Sequence, residues 1–157
     1  MSQTILPINI VSGGQTGADR AALDWAIEKE IPHGGWCPKG RLAEDGLIPE
    51  QYQLKETPSS EYLQRTEWNT RDSDGTVVFS IAPKLTGSSK RTVEFAQKHK
   101  KPVIHISSKT AEPGKVLGEF IQKHQIHTLN VAGPRGSKEP EVAEFVKRVL
   151  DAALLKG

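Results

Sequence analysis

The sequence predicts an α/β protein, a three-layer sandwich with a mainly parallel sheet and helices on both faces. Three observations predict it. Short, nearly continuous apolar runs recur along the chain. Amphipathic runs of helical period follow them. Glycine-rich turns join the two at three places. A strand followed by a helix and then another parallel strand requires a crossover, and crossovers are right-handed, so the strands lie side by side between two helical layers.

Taken in order, Ile8–Val11 is a β-branched run that suits a strand covered on both faces. Ala18–Ile31 then reads as a helix, with Leu23 and Ile27 on one face and Ala22 and Trp25 beside them. The stretch from His33 to Thr57 holds several Gly and Pro residues and no strong period. Weak strand candidates lie near Gly35–Cys37 and Tyr52–Glu56. Long irregular segments inside compact domains tend to be functional loops. Glu61–Trp68 reads as a short helix, and Gly75–Ser80 as the second strong strand. Val93 and Ala96 mark the helix after it. Pro102–Ile106 is the third strand, with Val116, Leu117, Phe120 and Ile121 marking its helix. Thr128–Ala132 is the fourth. Val142, Phe145, Val146, Val149, Leu150, Ala153 and Leu154 give the last helix the i, i+3, i+4, i+7 spacing of one buried face.

Composition narrows the class. At 157 residues the chain suits one domain over 1–157 with a sizeable core. A formal net charge of +2, with basic residues scattered among acids, argues against nucleic acid as a partner. No run is long enough to span a bilayer and no leader pattern opens the chain, so the reading is a cytoplasmic protein. The single cysteine, Cys37, excludes an internal disulfide and a cysteine-rich metal centre, and reads as a buried apolar residue. The five histidines are dispersed, and no protein-built metal site is expected.

The glycine turns carry the chemistry. The first runs Val11-Ser12-Gly13-Gly14-Gln15-Thr16-Gly17-Ala18-Asp19-Arg20. Unpaired amides and the macrodipole at a helix start attract an anion, and glycine lets a ligand approach the backbone. The second holds Thr86, Gly87, Ser88 and Ser89, and the third Gly133, Arg135, Gly136 and Ser137. Each follows a strand's carboxyl end, so in a parallel sheet all three fall on one side, as three convergent helix starts. Ser88, Ser89 and Ser137 are also good N-caps. Thr16 and Asp19 have nearly the spacing of a capping box. An acid there repels phosphate, so Asp19 reads equally as a cap or as a partner for a sugar or heterocycle N–H. Arg135 is placed to engage a phosphate bidentately. In the irregular segment Trp36 is a candidate stacking lid, and Lys39 and Arg41 are candidate anion contacts, as is Arg65 further on.

Several of these segments together resemble a known family. Ser12-Gly13-Gly14-Gln15-Thr16-Gly17-Ala18-Asp19, Gly35-Trp36-Cys37-Pro38-Lys39-Gly40-Arg41, Arg65-Thr66-Glu67, Asp72-Ser73-Asp74-Gly75-Thr76 and Asn130-Val131-Ala132-Gly133-Pro134-Arg135 resemble the molybdenum-cofactor carrier family. That family belongs to a Rossmann-like superfamily that also holds cytokinin-activating phosphoribohydrolases and nucleotide-sensing domains. The resemblance implies a Rossmann-like fold, a homodimer or homotetramer, and a small anionic ligand: molybdenum cofactor, molybdate or a nucleotide. It implies non-catalytic binding, with the Gly13–Gly17 and Gly133–Ser137 turns as a phosphate nest. An enzyme cleaving a nucleotide's N-glycosidic bond, assisted by Glu94 or Asp19, is the alternative, and a nucleotide sensor acting through self-association is another. The hydrolase motif P-G-G-x-G-T-x-x-E is matched only loosely by Thr86 to Glu94, whose second and third glycines are absent.

Overall fold

A computed structural model describes residues 4–5 and 8–156. In chain order the elements are β1 (Thr4–Ile5), β2 (Asn9–Val11), α1 (Ala18–Glu28), β3 (His33–Gly34), β4 (Trp36–Cys37), β5 (Leu42–Ala43), β6 (Gly46–Leu47) and β7 (Lys55–Glu56). There follow α2 (Tyr62–Arg71), β8 (Gly75–Ser80), α3 (Gly87–Lys98), β9 (Val103–Ser107), α4 (Pro113–Lys123), β10 (Thr128–Ala132), α5 (Val142–Leu154) and β11 (Leu155–Lys156).

Five strands form one parallel sheet in the order β3-β2-β10-β8-β9. Ile10 stands beside Leu129, Val131 beside Val77, and Val77 beside Ile104. All six residues of β8 are buried, which explains its unbroken run of non-charged residues. Crossovers that step toward β3 place α1 and α4 on one face, where α5 packs against both. The crossover from β8 to β9 steps the other way and places α3 on the opposite face, against α2. Connections from β2 and from β8 therefore diverge, and β10 fills the sheet between them.

The core between sheet and α1, α4 and α5 holds Trp25, Phe79, Leu117, Leu150 and Leu154, all essentially solvent-free. Phe79 meets Phe145 edge to face, 5.9 Å between ring centres. Three helices end alike. Glu30, Lys100 and Gln125 adopt left-handed φ of 56°, 56° and 52°. The following amides of Ile31, Lys101 and Ile126 reach back to the carbonyls of Ala26, Ala96 and Ile121. This is why α1 stops at Glu28 although its apolar pattern continues to Ile31. Ile31 is the buried residue after the cap, not a helical one.

The irregular segment is a packed unit. Short pieces β4–β7 pair in parallel and β5–β6 form a hairpin. Cys37, Ala43, Ile48 and Tyr52 close over Leu23 of α1 as a second small core. The Arg41 guanidinium holds it together by donating to the carbonyls of Ile48, Pro49, Tyr52 and Leu54. No helix of the described residues is long and apolar enough to cross a membrane.

Truncating Phe79 removes a solvent-free side chain from the middle of the sheet. Phe79→Ala is expected to lower unfolding free energy by about 3–5 kcal/mol. Urea titration followed by circular dichroism measures this, and a loss below about 1 kcal/mol would contradict the packing described.

A candidate anion cleft at the carboxyl end of the sheet

A cleft of about 710 Å³ opens beyond the carboxyl ends of β2, β10 and β8, where the crossover directions diverge. Open α/β sheets place their ligands at such a point. Gly13, Gln15, Asp19, Arg65, Thr86, Gly87, Ser88, Ser89, Gly133, Arg135 and Ser137, all expected from sequence, line it.

Its floor is a buried ion pair. Arg65 of α2 donates Nη1 to Asp19 Oδ2 of α1 at 3.0 Å, and both side chains are 8% exposed. Arg65 Nε donates to the Tyr62 carbonyl, which fixes the guanidinium plane. A Cβ on Gly13 would run into that guanidinium, so the first turn needs glycine here for a side chain of its own protein. Burial pushes the Asp19 carboxyl up, against the opposing charge of Arg65.

The first turn is partly satisfied internally. Gln15 N–H faces Asp19 Oδ2 at 3.4 Å, Thr16 N–H donates to Gln15 Oε1, and Ala18 N–H donates to the Pro134 carbonyl. Gly17, at φ 84°, is the N-cap residue, so the expected Thr16–Asp19 capping box does not form. Thr16 instead receives the Gly136 N–H and donates to Glu44. A Cβ on Gly17 would sit 2.6 Å from Gly136 N, which shows how tightly the first and third turns are pressed together. Gly14 lies outside the cleft. Its carbonyl accepts from Arg20, and its Cα faces Leu54 and Ile48.

The third turn is partly satisfied too, by a carboxylate that the sequence reading missed. Glu44, at the tip of the β5–β6 hairpin, accepts from Thr16 Oγ1 at 2.7 Å and Ser137 N at 3.0 Å through Oε1. It accepts from Ser137 Oγ at 2.7 Å through Oε2, with Arg135 Nε 3.4 Å away. The hydroxyls of Ser137 and Thr16 hold this carboxyl below the usual range. The Asp45-Gly46 step after it is a hairpin signal legible in sequence. The last helix begins only at Val142, so this turn is not a helix start as expected.

The second turn is open. Thr86 is the N-cap of α3, without a side-chain cap bond. The first bond of this helix runs from Lys90 N to Thr86 O at 3.5 Å, and no described residue accepts from the amides of Gly87, Ser88 or Ser89. Ser89 is only 6% exposed and lines the cleft, and no described residue pairs with its hydroxyl. Lys138 crosses from the third turn to hydrogen-bond the Thr86 hydroxyl, which brings an ammonium to the same rim.

Other expected contacts lie elsewhere. Trp36 does not line the cleft. Its indole N–H donates to Asp72 and its ring meets Trp68 edge to face at 4.8 Å, so the half-buried Trp68 packs within its own chain. Asn69 bonds both backbone groups of Trp36, which explains why polar residues extend α2 past Trp68. Lys39 is exposed on the irregular unit, and Arg41 is occupied by the four carbonyls it holds. Neither lines the cleft. Cys37 is solvent-free, and burial pushes its thiol up, as suits a packing residue. Glu94 pairs with Arg91 on the exposed face of α3, at 3.0 Å, outside the cleft.

Fold and cleft together define a Rossmann-like α/β protein with a switch-point cleft. The family model described as the circularly permutated YpsA SLOG family matches residues 10–154, and the chain belongs to that family. It is also similar to the crystal structure of a "putative molybdenum carrier protein" from Syntrophus aciditrophicus, with 47% identity and a TM-score of 0.91. That match covers 96% of this chain and 97% of the other. No curated protein matches the chain.

Removing Arg65 strands Asp19 in a dry site. Arg65→Met should cost about 3–5 kcal/mol of stability at neutral pH. A carboxyl whose folded pKa lies above its unfolded value is not penalised while protonated, and it loses stability as pH rises through its folded range. The deficit of the variant should therefore shrink on acidification. Urea unfolding of both proteins at pH 7 and pH 5 tests this, and a deficit that does not change with pH would contradict it.

Proposed function

We propose that this protein is a non-catalytic carrier that binds a small phosphorylated ligand in the switch-point cleft, with the phosphate at the start of α3. One observation carries the reading: three amides at the start of α3 from which no described residue accepts, beside the Ser89 hydroxyl, which lines the cleft with no partner among the described residues. Helix starts of this kind bind phosphate, and the Lys138 ammonium adds a charge-assisted donor. The Asp19 carboxylate on the floor suits a sugar hydroxyl or the N–H groups of a heterocycle. The 47% identical molybdenum carrier supports a pterin phosphate as the ligand.

The donor set offers molybdenum no thiolate or imidazole ligand. The cleft is lined by amides, hydroxyls, a carboxylate, guanidinium groups and an ammonium, with no cysteine or histidine among the lining residues. Metal would arrive on the cofactor's own sulfurs, or as the molybdate oxyanion. The position of Glu94 outside the cleft favours binding over N-glycosidic cleavage. Incubation with adenosine monophosphate checks that choice, since only a hydrolase releases free base.

Native mass spectrometry of protein purified without added ligand tests the carrier reading. A retained pterin phosphate or nucleotide supports it. Ser89→Ala and Lys138→Ala should each weaken adenosine monophosphate binding by about 1–3 kcal/mol, while Lys84→Ala should have little effect. Calorimetric titration measures all three, and unchanged affinity in the first two would sink the phosphate position. The resemblance also implies self-association, and light scattering at micromolar concentration measures the assembled mass.

A further inference from the structure

In the third glycine turn the Gly136 amide, the Ser137 amide and the Ser137 hydroxyl are already in use, the two Ser137 donors by an acid. Glu44 meets two hydroxyls, one amide and one guanidinium there. That is the donor set a phosphate would engage. The carboxylate is not a loose surface group. Its own backbone N–H donates to Gln15 Oε1 at 2.9 Å, the same oxygen that caps Thr16 N–H. The neighbouring Asp45 pairs with Arg20, whose other arm holds the Gly14 carbonyl. The hairpin tip is thus pinned to the first turn on both sides of Glu44. Arg135 and Ser137 line the cleft while they hold Glu44, so an anion approaching them meets a guanidinium already beside a carboxylate at 3.4 Å.

We infer that Glu44 is a specificity-determining residue that takes the place of an anion on the third turn. The cleft then offers a ligand one phosphate position, at the start of α3, and discriminates against a second phosphate. The favoured class is phosphate monoesters, over diphosphates and dinucleotides. This rests on the phosphate reading of the cleft proposed above.

The test is calorimetric titration of the full chain with adenosine monophosphate and adenosine diphosphate, on the parent, Glu44→Gln and Glu44→Ala. The parent should prefer the monophosphate. Both variants should improve diphosphate affinity about tenfold, the size of one charge-assisted contact, with monophosphate affinity nearly constant. Adding Arg135→Ala to Glu44→Gln should erase the gain, because the freed guanidinium supplies it. Glutamine keeps the shape of the side chain, so Glu44→Gln decides the matter alone if Glu44→Ala does not fold. A parent that binds monophosphate, with an unchanged preference in Glu44→Gln, overturns this inference and leaves the carrier reading standing. Binding of neither nucleotide by any of the proteins overturns both.

Discussion

The buried Asp19–Arg65 pair is the constraint on which the cleft depends. It is the bond between α1, which begins at the first glycine turn, and α2, which forms the cleft's side wall. Its geometry demands a residue without a side chain at position 13, because the guanidinium lies across that Cα. It also sets the polarity of the floor. A mostly buried charged pair, with its guanidinium plane fixed by the Tyr62 carbonyl, presents preorganised charge to a ligand placed above it. The pair is a costly way to join two helices, since apolar residues of like volume often do so as well. That cost is consistent with a role in ligand contact.

Backbone donors at the mouth of a parallel sheet must find acceptors somewhere. In the first and third turns the chain supplies its own for some of them, from Asp19, Gln15, the Pro134 carbonyl, Thr16 and Glu44. For the first three amides of α3 the described residues supply none, and the Ser89 hydroxyl beside them has no partner there either. The difference follows from chain geometry. The irregular unit after β3 folds over α1 and brings its hairpin tip to the first and third turns. It is anchored there by Arg41 and by the small core around Leu23, and this places its acids beside one pair of turns.

The layered fold was legible because its signals are local. The strands at β2, β8, β9 and β10 are short β-branched runs, and the helices carry one apolar face each. Three helix ends were harder to read, since the left-handed caps at Glu30, Lys100 and Gln125 lack the glycine that usually marks them. For the site, the glycine turns located the cleft, but not which turn is open. That depends on Glu44, more than 90 residues from Ser137 in sequence, and no local pattern reports such a pairing. Trp36, Lys39 and Arg41 stand in a glycine-containing run of their own, and they serve the irregular unit. A cation near glycines reads as an anion contact until the carbonyls that surround Arg41 are seen.

The strand order has a consequence in time. β2 is synthesised first among the five strands of the sheet, but its inner neighbour is β10, and Asn9 stands beside Thr128. Until β10 has emerged, β2 lies at an open sheet edge and the first glycine turn lacks the Pro134 carbonyl that receives its Ala18 amide. A ribosome adding about 5–20 residues each second would leave that edge bare for several seconds. Parallel pairing across so long a loop is also slow to form. The wait ends when Thr128–Ala132 pairs beside Asn9–Val11.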